Sequence, residues 1–97
     1  MDWYGTTNSA ILLEIGSRIR ATRVNKKFSQ KEVAERAGIS AFTVSQIETG
    51  KNSSTISLIA VMRVLKLLEN LEDFIPVPVI SPVELLNQQN KKKGKRK

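Results

Sequence analysis

The side chains able to do chemistry in this 97-residue chain are cations, amides and hydroxyls. Lys and Arg number 16 against 9 Asp and Glu, and there is no His and no Cys. That rules out a zinc finger, an imidazole acid–base pair and a thiol nucleophile. No glycine-rich loop stands ready to cradle a phosphate. Glu32 and Glu35 lie one helical turn apart, but capping and solubility account for them more simply than catalysis. The chain therefore reads as a non-enzyme, with no metal and no cofactor implied. What it does offer is a run of amides, hydroxyls and small apolar groups between Gln30 and Asn52. Such groups hydrogen-bond phosphate oxygens and base edges, or pack on a thymine methyl.

Charge placement supports that direction. Residues 1–17 carry Asp2 and Glu14, for −2, and residues 18–66 carry +7. Residues 67–90 hold Glu69, Glu72, Asp73 and Glu84, for −4, and Lys91–Lys97 adds +6. Two basic blocks flank an acidic one, and the net charge is +7. A polyanion is the natural partner, nucleic acid being the commonest. The lysine-rich end by itself is equally well read as a solubilising tail.

The elements that must position these groups are helical. Residues 1–7 form a flexible lead-in. Asn8 or Ser9 caps a helix to about Asn25, with Ile11, Leu12, Ile15 and Ile19 at helical spacing. Ser29-Gln30-Lys31-Glu32 is a capping box opening a second helix, which Gly38 ends. Ser40 caps a third through about Thr49, followed by Gly50. From Ile56 to Leu68, 10 of 13 residues are apolar. This fourth helix is expected to be buried on most sides, one of them against a second copy. Asn70 is expected to cap a short turn, Leu71–Ile75. Pro76, Pro78 and Pro82 then interrupt an extended stretch, and Ser81-Pro82-Val83-Glu84 would open one or two helical turns. The resulting domains are a lead-in 1–7, a DNA-binding unit 8–75, an extended segment with a short helix 76–90, and a disordered basic tail 91–97.

The second and third helices must cross steeply. Ala34 is small enough for a close crossing, Gly38 tolerates a left-handed turn, and Val33, Ala37, Ile39, Val44 and Ile47 are spaced to fill the angle. This is a helix-turn-helix, whose second helix enters the major groove.

The sequence resembles the Xre/Cro-type, phage-repressor-like family. The residues that carry the resemblance are Ile19 and Arg23, Phe28-Ser29-Gln30, Ala34, Gly38-Ile39-Ser40 and Val44 through Lys51. It covers about residues 10–75. It implies an all-α fold, a lambda-repressor-like bundle of five short helices, and a cytoplasmic, nucleoid-associated protein of bacterial or phage type. It also implies that the Gln30 amide touches a phosphate and braces the third helix. By the same resemblance, Arg23 and Glu48 form a partly buried ion pair joining the first and third helices, a structural role rather than a reading one.

On the exposed half of the third helix, Ala41, Phe42, Ser45 and Gln46 face bases. Gln46 suits an adenine edge, and Ala41 and Phe42 a thymine methyl. Phe42 stands where the family often has a polar residue, and its alternative is a wedge into the protein's own core. Ser40, Thr43, Thr49, Lys51 and Asn52 are placed for phosphates, which fix position rather than sequence choice.

The reading that follows is a homodimeric transcriptional regulator on a pseudo-palindromic double-stranded operator. An alternative is a HipB-like antitoxin that binds DNA and holds a toxin protein through its proline-spaced C-terminal region. No run is apolar and long enough to cross a bilayer, and Met1–Ala10 lacks the form of a signal peptide.

Overall fold

Side-chain hydroxyls open the first four helices. In the computed structural model, which describes residues 1–79 together with 82, 83, 86 and 87, α1 spans Asn8–Asn25, α2 Gln30–Ala37, α3 Ala41–Glu48 and α4 Thr55–Val64. The Thr7 hydroxyl accepts from Ala10 N at 3.1 Å, Ser29 from Glu32 N at 3.0 Å, Ser40 from Thr43 N at 3.0 Å and Ser54 from Ser57 N at 3.1 Å. Each bond satisfies a backbone donor that has no partner within its own helix. At α2 the box is complete, because Ser29 N donates back to the Glu32 carboxylate at 2.8 Å. That bond, then the Ser29 side chain, then nearby Arg36 hold the Glu32 pKa below its usual 4.5. A 3-10 turn, Leu68–Asn70, leads into α5, Leu71–Phe74. The described residues are thus all-helical, a bundle of five short helices.

The same four helices also end alike. One backbone N–H reaches five residues back: Phe28 to Arg23 O, Ile39 to Ala34 O, Lys51 to Gln46 O and Leu67 to Met62 O, at 2.8–3.1 Å. The residue before it is left-handed in every case, with φ of 64° at Lys27, 72° at Gly38, 75° at Gly50 and 61° at Lys66. This is the Schellman closure. Three of the four donors just named, Phe28, Ile39 and Leu67, also pack their side chains against the core. The ends of α1, α2 and α4 are thereby coupled to tertiary packing.

The core is aliphatic. Ile19, Val33, Ala34, Val44, Ile47, Val61 and Leu65 are buried, with Ile15, Phe28, Ile39, Leu58, Val64 and Leu67 against them. α2 packs on α3 and on α4, and α1 packs on α3. The α1–α3 approach is close because Gly16 in α1 has no side chain to hold the C-terminal end of α3 away. The lead-in folds back on α1: Gly5 N donates to the Asp2 carboxylate at 3.2 Å, and Trp3 lies under the Arg18 guanidinium, 5.4 Å from the ring centroid.

Several expectations need correction. The α1 cap is Thr7, not Asn8 or Ser9. The fourth helix stops at Val64 rather than Leu68, because Lys66 takes the left-handed position. It is not buried on most sides: only Val61 is buried within it, while Ile56 is 79% exposed. Asn70 makes no capping bond, since its own backbone is already helical. The helix expected to open at Ser81 lies largely outside the described residues, and Lys91–Lys97 lies wholly outside them.

Candidate nucleic-acid interface

α3 is held by its inner face and left open on its outer one. Val44 and Ile47 are buried in the core, and Glu48 is buried beside them. Ala41 and Phe42 point outward, and Phe42 is 70% exposed. A 70% exposed ring is not a wedge into its own core, so the alternative for Phe42 falls away. Ser45 and Gln46 are half-buried on the flank of the same helix. The exposed ring sits on a surface otherwise lined with hydroxyls and amides.

The orientation of α3 is fixed from behind by one carboxylate. Glu48 Oε2 accepts from Arg23 Nε at 2.6 Å and Oε1 from Arg23 Nη2 at 3.0 Å. Oε1 also accepts from Gln30 Nε2 at 3.0 Å, and Arg23 Nη1 donates to Phe28 O at 2.8 Å. The Glu48 side chain is 1% exposed. The cluster ties four segments together: donors from α1 and α2, the Phe28 carbonyl of the turn between them, and the Glu48 carboxylate of α3. A buried pair with this many bonds is geometrically demanding, and stripping one partner leaves an uncompensated charge. The cluster therefore fixes the angle between the supporting helices and α3.

Gln30 thus braces α3, as the resemblance implies. Its amide nitrogen has two hydrogens, and the Glu48 bond uses one. The second is left free to donate. The hydroxyls divide similarly. Ser40 and Thr43 share one hydrogen bond between them at 2.9 Å, so one of their two protons stays free. The Thr49 hydroxyl instead donates to Ser45 O at 2.8 Å. A phosphate contact needs a donor, so Thr49 as placed has none to give from its side chain. Lys51 and Asn52 are fully available at the surface after α3.

One residue outside the sequence expectations joins this group. An open cleft of about 550 Å³ is lined by Arg20, Arg23, Ser29, Gln30, Glu48 and Thr49. Arg20 is exposed at its edge, with the buried ion pair forming the floor. Its signal was present in the sequence: it precedes Arg23 by three residues, which puts both on one helix face.

The sequence model of the helix-turn-helix family matches residues 19–72, from the end of the Ile15–Ile19 face to α5. The chain belongs to the Xre/Cro-type helix-turn-helix family. It is a DNA-binding protein of the transcription-regulator class. No curated protein matches it. The helix-turn-helix proper is α2, the Gly38 turn and α3. Gly38 has open space where a Cβ would stand, so the turn selects glycine for its φ of 72° alone. Among the described residues, no helix is long and apolar enough to cross a membrane.

Proposed function

We propose that this helix-turn-helix protein is a sequence-specific regulator that binds double-stranded DNA as a homodimer on a pseudo-palindromic operator, at the bacterial nucleoid. The observation that carries the reading is the open outer face of α3, with Phe42 at its centre, locked from behind by the Arg23–Glu48–Gln30 cluster. A rigid helix with one free face is what major-groove readout requires. Ala41, Phe42, Ser45 and Gln46 read bases. Gln30, Ser40, Thr43, Lys51 and Asn52 hold phosphates, joined by Arg20. Thr49 stands outside that set, because its hydroxyl and its backbone N–H both already donate to Ser45 O.

The dimer part is supported by apolar surface that a monomer has no use for. On α4, Ile56 is 79% and Ile59 38% exposed; after it, Phe74 is 62% and Ile75 68% exposed. Large apolar groups left exposed on the elements after α3 leave surface for a partner to cover. Two copies would set their α3 helices about 34 Å apart, one turn of DNA.

Genomic footprinting of the bound sites tests both parts at once. The expected result is inverted half-sites with centres about 10 base pairs apart, or a multiple. Binding spread evenly over all sequences would remove sequence specificity. A single uninverted half-site would remove the dimer.

A further inference from the structure

Four helix ends share one left-handed turn, and two residue types fill it. Glycine takes the position after α2 and α3, at Gly38 and Gly50. Lysine takes it after α1 and α4, at Lys27 with φ 64° and Lys66 with φ 61°. A side chain is strained at such a φ where glycine is not. Strain of this kind persists where the surroundings impose it, and it gathers at functional surfaces.

The surroundings do impose it at Lys27. Phe28 N donates to Arg23 O at 3.1 Å, and Phe28 O accepts from Arg23 Nη1 at 2.8 Å. The Phe28 ring lies under the Arg36 guanidinium, 4.8 Å from centroid to carbon. The Lys27 side chain takes no share in this holding. It is exposed, and among the described residues no carboxylate stands within ion-pair distance of it.

Charge sets the two lysines apart. Lys27 stands in the sequence among Arg20, Arg23, Lys26, Lys31 and Arg36, and of the acids there Glu32 is engaged by Ser29 N–H. Lys66 is followed instead by Glu69, Glu72 and Asp73. Adjacent exposed cations at Lys26 and Lys27 repel one another, and a polyanion relieves that repulsion. Position points the same way. Ser29 and Gln30 line the cleft above the buried ion pair, and Lys27 precedes Ser29 by no more than about 7 Å of chain. The loop that carries Lys51 lies towards the other end of α1, where Gly50 abuts Leu13. Leu13 and Asn25 are about 18 Å apart along the helix axis. The major groove is about 12 Å wide, so the two ends of α1 place cations far enough apart to meet the backbones on both of its sides.

We infer that Lys27 is a further phosphate contact, holding the DNA backbone beside Gln30 and Arg20, across the major groove from Lys51 and Asn52. The inference rests on the reading of Gln30 and Arg20 as phosphate contacts and extends their row by one. The strain at Lys27 is offset on DNA rather than in the free protein.

Lys27→Gly separates charge from fold, because it removes the ammonium and the strain together. The full-length variant should melt higher than the wild type, yet bind a duplex of arbitrary sequence more weakly. Its slope of log K against log salt should be shallower by about 0.9. Its deficit in affinity should therefore shrink about 3.5-fold between about 50 and 200 mM salt. Lys27→Arg keeps the charge and should keep the slope. Lys66→Gly makes the same backbone change at the far end of α4, about 15 Å along the helix from Thr55 and the Lys51 loop. It should also melt higher, with its slope unchanged. An unchanged slope for Lys27→Gly, beside a shallower one for Arg20→Ala, overturns the Lys27 contact and leaves the cleft standing. Equal loss of slope in Lys27→Gly and Lys66→Gly also overturns it, since any surface cation would then serve. If Arg20→Ala and Lys27→Gly both keep the wild-type slope, the cleft reading itself is wrong, and the Lys27 contact falls with it.

Discussion

Gly16 of α1 and Glu48 of α3 meet backbone against backbone. A Cβ on Gly16 would stand 2.8 Å from the Glu48 carbonyl oxygen and closer still to that of Ile47. The neighbours are main chain, not flexible side-chain ends, so they cannot step aside. Gly16→Ala in an ordinary helix would gain about 0.5–1 kcal/mol. Here it should cost roughly 1–3 kcal/mol by overpacking, lowering the melting temperature by about 4–8 °C per kcal/mol. The sign decides the matter: a variant that melts higher than the wild type would show that the two helices are free to part.

The Glu48 carboxylate is the next test of that contact. Glu48→Gln keeps the shape but strands the Arg23 charge, which should cost about 3–5 kcal/mol in denaturant unfolding. Replacing both partners, as Arg23→Met with Glu48→Leu, should recover most of that loss, because no charge is left buried. A double variant as unstable as Glu48→Gln would mean that the hydrogen bonds to Gln30 and Phe28, rather than charge pairing, carry the stability.

How far the sequence foretold this arrangement depends on whether local chemistry or tertiary packing decided each point. The α2 capping box and the Gly38 turn were legible, since Ser29, Glu32 and Gly38 each satisfy a backbone requirement within a few residues of themselves. The end of α4 was not. Its left-handed residue is Lys66, which carries no local signal, and the closure is held by Leu67 packing on the core. Gly16 carries no sequence signal, because its role exists only once α3 lies across it. The Phe42 ring could not be placed from α3 alone, because either face of an eight-residue helix can accept an aromatic. The loss of a free proton on Thr49 was equally invisible, being a matter of which carbonyl lies within reach.

The two lysines in left-handed positions make a stability prediction. A side chain at such a φ costs roughly 1–2 kcal/mol that glycine avoids, partly offset by the extra entropy glycine loses on folding. Lys66→Gly should therefore stabilise the fold by about 0.5–1 kcal/mol, read as a higher melting temperature. A lower one would contradict the left-handed closure of α4. Lys27→Gly serves the same purpose at α1.

Glu32 predicts a pH dependence. Its pKa is lowered in the folded state, chiefly by the Ser29 N–H. The folded protein then binds protons less readily than the unfolded chain, so the capping bond stabilises above pH 4.5 and is lost as pH falls below it. Glu32→Ala should be less stable than the wild type at pH 7, and the gap should close on acidification towards pH 3. A gap that is constant across that range would mean the carboxylate charge plays no part.

DNA binding separates the residues that read from those that merely hold. Phe42 is exposed in the free protein, so Phe42→Ala should leave the melting temperature within the scatter expected of a surface change. On its operator, loss of the buried ring should lower affinity roughly 10- to 100-fold. The dependence on salt should not change, because no phosphate contact is removed. Arg20→Ala should do the reverse: it should weaken all duplexes alike and make the slope of log K against log salt shallower by about one. Thr49→Val, which removes a hydroxyl already spent on Ser45 O, should alter neither slope nor sequence preference. These three variants measured together, across salt and against both operator and scrambled duplex, decide the assignment. An unchanged affinity for Phe42→Ala would remove α3's outer face from the interface, and an unchanged slope for Arg20→Ala would remove the cleft above the ion pair.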